Sequence, residues 1–322
     1  MCAATDQSIL ELESTMTPCS FRPVAAATMA AALGIFSAST AIAADWSDTA
    51  ISWRYGTTFR EPYVNKADGS AQNISKNIFA LSHTSGYKYG VNYFNVDLLQ
   101  SNDKDPASCP NFECTGSAQE AYVVYRNNIE WGKVSGTPIT LRGVKDLALT
   151  LGFDWNTKND AGYNSKKRML VWGPTIELDV PGYMNVGIYG LSESNAPCTT
   201  FPPAAVGYPS GNCISRYSYK THPMLSSSWA IPIGSWPLSY EGYANIIASK
   251  GTNEFGGPTK TEINWDSQLM LDVGRLAGGP KGTFRLGVEF QYWKNKFGND
   301  HSSFAGPGAF AKTFMVRGEY HF

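Results

Sequence analysis

The stretch LALTLGFDWN, residues 147–156, decides the fold. Leu147, Leu149, Leu151, Phe153 and Trp155 occupy one set of alternate positions. Ala148, Thr150, Gly152, Asp154 and Asn156 occupy the other. A strict period of two is the periodicity of a strand with two unlike faces. Its length matches the nine to eleven or so residues with which a tilted strand crosses a bilayer, apolar toward lipid and polar toward a lumen.

The pattern recurs along the chain. Ile51, Trp53, Tyr55 and Phe59 alternate with Ser52, Arg54, Gly56, Thr58 and Arg60. Ile263, Trp265, Leu269, Leu271 and Val273 alternate with Asn264, Asp266, Gln268 and Asp272. Phe284, Leu286, Val288, Phe290 and Tyr292 alternate with Arg285, Glu289 and Gln291. Phe310, Phe314, Val316, Tyr320 and Phe322 stand against Thr313, Arg317, Glu319 and His321. Soluble sandwiches also alternate. Long apolar faces with aromatics near the strand ends favour a membrane wall, and so does the terminal aromatic Phe322.

Composition agrees. The 322 residues include 13% aromatic and 16% charged, with 26 Lys+Arg against 27 Asp+Glu. Such balance carries no electrostatic footprint for nucleic acid, and this wealth of aromatics is foreign to disordered chains. No apolar run is long enough for a membrane-spanning helix.

The N-terminus reads as a targeting segment. VAAATMAAALGIF, 24–36, follows Arg22 and precedes the small-x-small site Ala41-Ile42-Ala43, the anatomy of a secretory signal. Asp6, Glu11 and Glu13 do not suit a signal's basic start, so Met16 is the expected initiation site. Residues 1–43 are thus expected to be an extension and signal. Residues 44–322 form one barrel domain with 25 basic and 24 acidic residues, formally +1.

The expected fold is all-β, a closed antiparallel transmembrane β-barrel of about 12 strands. The strands are placed at 49–60, 73–84, 87–99, 118–130, 144–156, 167–180, 183–191, 217–233, 237–249, 260–274, 282–296 and 309–322. An even number puts both ends in the periplasm, with turns at Ser85-Gly86, Pro181-Gly182, Gly234-Ser235 and Gly278-Gly279-Pro280. The connection 131–143 is long for such a turn and leaves room for further strand. The long loops 100–117 and 192–216 then face outward, and each carries a cysteine pair: Cys109 with Cys114, and Cys198 with Cys213. Local disulfides are the expected pairing in an exported chain, and the spacing suits zinc poorly.

No nucleophile elbow, phosphate loop or zinc-protease motif occurs, and His83, His222, His301 and His321 are a thin supply for catalysis. A Ser–His barrel enzyme remains the least favoured alternative; neither enzymatic activity nor a cofactor is expected. Arg54, Arg60, Asp154, Asn156, Glu177, Asp179, Asn264, Asp266, Gln268, Asp272, Arg285, Glu289, Gln291, Arg317 and Glu319 are the inward set. Both signs occur, so a one-sign anion-selective ring is not expected.

Several stretches resemble the Tsx-like nucleoside-specific channel family: YKYGVNYFNVDLL (87–99), LGFDWNTKND (151–160), KKRMLVWGPT (166–175), EFQYWKNKFGN (289–299) and the terminal GEYHF. The resemblance implies a narrow twelve-stranded channel in the outer membrane of a Gram-negative bacterium, passing nucleosides passively. It also implies, for some members, a role as phage receptor. Expected partners are outer-membrane lipid, a small polar solute and, through Phe322, the barrel-assembly machinery. The solute-path candidates are Arg54, Asn95, Asp97, Asp154, Asn156, Asp266, Glu289, Gln291 and Trp293, the last sharing the parity of Glu289 and Gln291. The alternative is a surface-recognition barrel without selective transport.

Overall fold

The computed structural model describes residues 44–322 except 108–115, 162, 199–212 and 304–305. The expectations for residues 1–43, and for Cys109 and Cys114, fall outside the described residues.

Twelve strands make the wall: β1 Trp46–Phe59, β2 Ile74–Tyr87, β3 Gly90–Ser101, β4 Gln119–Glu130, β5 Val144–Lys158, β6 Arg168–Leu178, β7 Tyr183–Asn195, β8 His222–Pro232, β9 Leu238–Ile247, β10 Glu262–Asp272, β11 Phe284–Lys294 and β12 Phe310–His321. Each pairs antiparallel with its sequence neighbours, and β1 pairs with β12 from Ala50↔His321 to Gly56↔Met315. The sheet therefore has no free edge, the condition under which strands can cross hydrocarbon. A separate two-residue strand, Tyr217–Ser218, pairs with the outer end of β7, so the segment expected at 217–233 joins the wall only from His222.

Side chains follow the period of two. Leu149, Leu151, Phe153 and Trp155 are exposed on the outer wall, while Ala148, Thr150, Asp154 and Asn156 between them are buried inside. Leu170, Ile188, Leu225, Val288, Phe314 and Val316 extend this exposed apolar surface around the barrel. Phe284, Tyr320 and Phe322 lie at the end where both termini emerge, consistent with an aromatic interface girdle.

Several expectations are corrected. Phe59 points inward at 3% exposure, because a register shift between Gly56 and Phe59 reverses its face. Gly56 begins that irregularity where a Cβ would come 2.8 Å from Met315 Cγ and 2.9 Å from the Phe314 carbonyl. Arg60, just beyond β1, is half-buried and donates to Asn73 Oδ1 and the Phe310 carbonyl rather than projecting into mid-lumen. Asp179 lies past the end of β6 and is exposed. Ser85 and Gly86 belong to β2, and the turn falls at 88–89. The segment 131–143 holds a short helix, α1 Trp131–Ser135, and no wall strand.

The strands that alternate poorly have a physical explanation. Val171, Tyr189, Leu191 and Met224 form an apolar cluster inside the barrel, so β7 and β8 carry apolar residues on both faces. A second interior cluster comprises Phe59, Ile74, Ile78 and Met315.

Candidate functional site

The site is the lumen. Arg54 on β1 and Arg317 on β12 stand directly opposite each other, a like-charge pairing that would be unfavourable alone. Glu289 on β11 joins them. Its Oε1 lies 3.1 Å from Arg54 Nη1 and its Oε2 accepts from Arg317 Nη1 at 2.7 Å, with the carboxylate fully buried. Arg54 Nη2 lies 2.6 Å from Asp97 Oδ1, which also accepts from Asn95 Nδ2 at 3.0 Å.

The chain of charges continues toward the periplasm. Arg317 Nε donates to Glu319 Oε1 at 2.6 Å, and Arg285 Nη1 lies 3.4 Å from Glu319 Oε2. Arg285 Nη2 bonds Ser239 Oγ at 2.7 Å and Glu241, and Gln268 Nε2 donates to Glu241 Oε2 at 3.0 Å. Beside this ladder, Gln291 Nε2 donates to Asp266 Oδ2 at 3.0 Å. Arg126 pairs with Asp154 at 2.5 Å, and Tyr122 donates to the other oxygen of Asp154 at 3.1 Å. The base of the ladder opens into a vestibule of about 710 Å³ bordered by Asp48, Trp236, Glu241, Lys281, Arg285 and His321.

Tyrosines complete the lumen. Tyr93 on β3 lies opposite Arg126 and Tyr243 on β9 lies opposite Asp266, so register turns both rings inward. Yet Tyr93 is 40% and Tyr243 36% exposed, which shows that solvent-accessible space persists inside the wall. Both are within electrostatic reach of Arg54 and Asp97. Because β3 and β9 lie half a circumference apart, the two rings approach the Arg54–Asp97 pair from opposite walls.

The outer mouth is drawn inward. Glu61, in the loop after β1, is buried at 2% exposure. Its carboxylate lies 2.5 Å from Lys76 Nζ on β2, 3.7 Å from Lys158 Nζ on β5 and 2.9 Å from Lys296 Nζ in the loop after β11. Since β3 and β4 separate β2 from β5, these contacts bridge across the opening. Burial alone would push the Glu61 carboxyl up; Lys158, Lys296 and Lys76 outweigh it and hold the group well below the usual carboxylate range. Lys158 is further paired with Asp105 at 3.0 Å and Asp160 at 2.7 Å. Nearby, Glu193 accepts from Lys250 at 2.7 Å and lies 2.9 Å from Lys167 Nζ. The disulfide Cys198–Cys213 staples the loop between β7 and β8.

The sequence candidates thus divide between two levels. Arg54, Asn95, Asp97, Asp266, Glu289 and Gln291 line the middle of the lumen, with Asp154 in the adjacent Arg126 pair. Asn156 and Trp293 belong to the outer mouth: Asn156 Nδ2 donates to Glu120 Oε1 at 2.6 Å, and the Trp293 indole N–H to Glu262 Oε1 at 2.6 Å. Sequence reasoning missed Tyr93, Tyr122, Tyr243 and Glu61. The shared parity of Tyr93 with Asn95 and Asp97 is the signal that could have found the first.

No protein-family model matches the chain, and no curated protein matches it. Among solved structures it is similar to the translocator domain of the autotransporter NalP from Neisseria meningitidis, at 10% identity and TM-score 0.46, covering 92% of this chain and 96% of that one. It is also similar to OccAB3 from Acinetobacter baumannii, at 11% identity and TM-score 0.30 over 86% and 99%, and to OprB from Pseudomonas putida, at 8% and 0.28 over 86% and 94%. None of these likenesses bears on what the lumen carries. The barrel rests on its own strand pairing. A closed strand barrel with an apolar exterior and a charged interior is a protein of the Gram-negative outer membrane, its short turns in the periplasm.

Proposed function

We propose that this barrel is a narrow channel for small, uncharged polar solutes with a planar ring, and that nucleosides, the class its sequence resemblance implies, are its cargo. The observation that carries the reading is the pair of water-exposed tyrosines, Tyr93 and Tyr243, flanking the Arg54–Asp97 pair. An aromatic face stacks any base without covalent commitment, at about 1–3 kcal/mol per base. Neighbouring carboxylates and amides supply acceptors and donors for a sugar. Every guanidinium at this level is already engaged: Arg54 by Asp97 and Glu289, Arg126 by Asp154, Arg285 by Glu241, and Arg317 by Glu289 and Glu319. Among the described residues a phosphate would therefore find no free guanidinium at this level and would meet carboxylates instead.

Conductance in planar bilayers tests this. Added nucleoside should reduce the ionic current reversibly, and Tyr243→Ala should weaken that block by about ten-fold. Conductance indifferent to nucleosides would remove the solute assignment; an inserted barrel with no conductance would remove the channel.

A further inference from the structure

The periplasmic connection between β4 and β5 is built for something other than closing a turn. Trp131 (52% exposed), Val134 (52%) and Leu141 (65%) present large apolar side chains to the surroundings. Arg142 and Lys145 stand exposed among them; Lys133 is paired with Glu130 at 3.2 Å, and the exposed Asp179 donates its backbone N–H to the Gly143 carbonyl at 3.1 Å. Arg142 and Lys145 make no ion pair within 4 Å among the described residues. The arrangement is held rather than loose. The buried carboxylate of Asp146 accepts from the backbone N–H of Gly132 at 2.7 Å, of Ile139 at 3.1 Å and of Leu147 at 2.9 Å. Gly136 closes α1 at a φ of 77°, which a side chain would strain.

This surface continues the lipid-facing wall. The segment leads into β5, whose outward Leu149, Leu151 and Phe153 belong to the apolar exterior. It therefore lies where the bilayer core gives way to headgroups on the periplasmic side. Apolar side chains set into that boundary, with cations beside them, match a surface bearing both hydrocarbon and negative charge. We infer that residues 131–145 form a docking platform for anionic phospholipid headgroups of the periplasmic leaflet, with Trp131, Val134 and Leu141 inserted and Arg142 and Lys145 on the phosphates. The inference rests on the membrane barrel and is independent of what crosses the lumen.

Quenching by brominated lipids tests it on the whole barrel. The difference in emission between wild type and Trp131→Phe isolates Trp131 from the other tryptophans. In mixed vesicles, brominated phosphatidylglycerol should outcompete brominated phosphatidylcholine at Trp131. The Arg142→Gln/Lys145→Gln variant should lose that preference by about five-fold for each charge removed. Raising salt to about 0.5 M should erode it in the wild type, a measurement needing no variant to fold. Equal quenching by the two lipids, a preference untouched by both charge removal and salt, or no quenching of Trp131 would each overturn the inference.

Discussion

Glu61→Gln is the most informative single change in the outer mouth. Glutamine keeps the shape and removes the charge that Lys76, Lys158 and Lys296 share at 2.5, 3.7 and 2.9 Å. All three ammonium groups are buried, so the loss is not absorbed by water. Removing one partner of a buried pair costs about 3–5 kcal/mol. The lower end applies here, because two lysines keep other carboxylates: Lys76 has Glu120 at 3.8 Å, and Lys158 has Asp105 and Asp160. Lys296 loses most, keeping no carboxylate within 4 Å among the described residues and being left with the Arg60 carbonyl at 3.4 Å and the face of the Trp293 ring, its centroid 4.4 Å from Nζ. About 3 kcal/mol corresponds to roughly a hundred-fold shift in the equilibrium between drawn-in and released loops. Single-channel recording should show it as longer and larger open events. A double-mutant cycle with Lys296→Gln should return a coupling energy of at least about 1 kcal/mol. Unchanged gating in a barrel that still shifts its gel mobility on heating would refute the idea that Glu61 holds the mouth.

Three further outcomes follow from the same geometry. The Glu61 carboxyl is held below its unfolded value, so its contribution is complete above about pH 4.3 and is lost only as pH falls through the depressed folded value; the difference in gating between wild type and Glu61→Gln should therefore stay constant from pH 7 to about pH 5 and shrink only in stronger acid. Arg54→Met leaves Asp97 without its guanidinium and Glu289 with Arg317 alone, and should lower barrel stability in denaturant titrations by about 3 kcal/mol, with Arg54→Lys recovering part of it. Reducing Cys198–Cys213, which closes a loop of separation 15, should loosen the outer loop, read as faster proteolysis there, while the heat-shifted band of the barrel persists.

The wall was legible because its physics is local. Once lipid covers one face, Leu149 and Asp154 cannot exchange sides, and alternation alone assigns them. Legibility failed where the interior itself is apolar. Leu191 and Met224 are packed inside against Val171, so no contrast in polarity marks the inner face of β7 or β8. Phe59 failed for another reason: one irregularity after Gly56 reverses the parity, and nothing in the hydrophobic pattern announces it. The middle of the lumen was readable as a set of inward charges, but its pairing was not. Glu289 joins two arginines because β12 closes onto β1, a contact 235 residues apart from Arg54 and 28 from Arg317. Glu61 was invisible for the same reason, since a loop carboxylate reveals its role only when strands far apart in sequence bring lysines around it. Tyr93 and Tyr243 were ambiguous in kind, because tyrosine suits a lipid girdle as well as a wet lumen.

The central claim is that the lumen selects uncharged polar solutes through compensated charges. Swelling of liposomes containing the barrel, in a nucleoside and then in its 5′-monophosphate at equal osmolarity, measures it with the ring held constant. The nucleoside should enter at least about ten times faster, one decade being roughly 1.4 kcal/mol of discrimination. Equal rates, or faster uptake of the phosphate, would contradict the account.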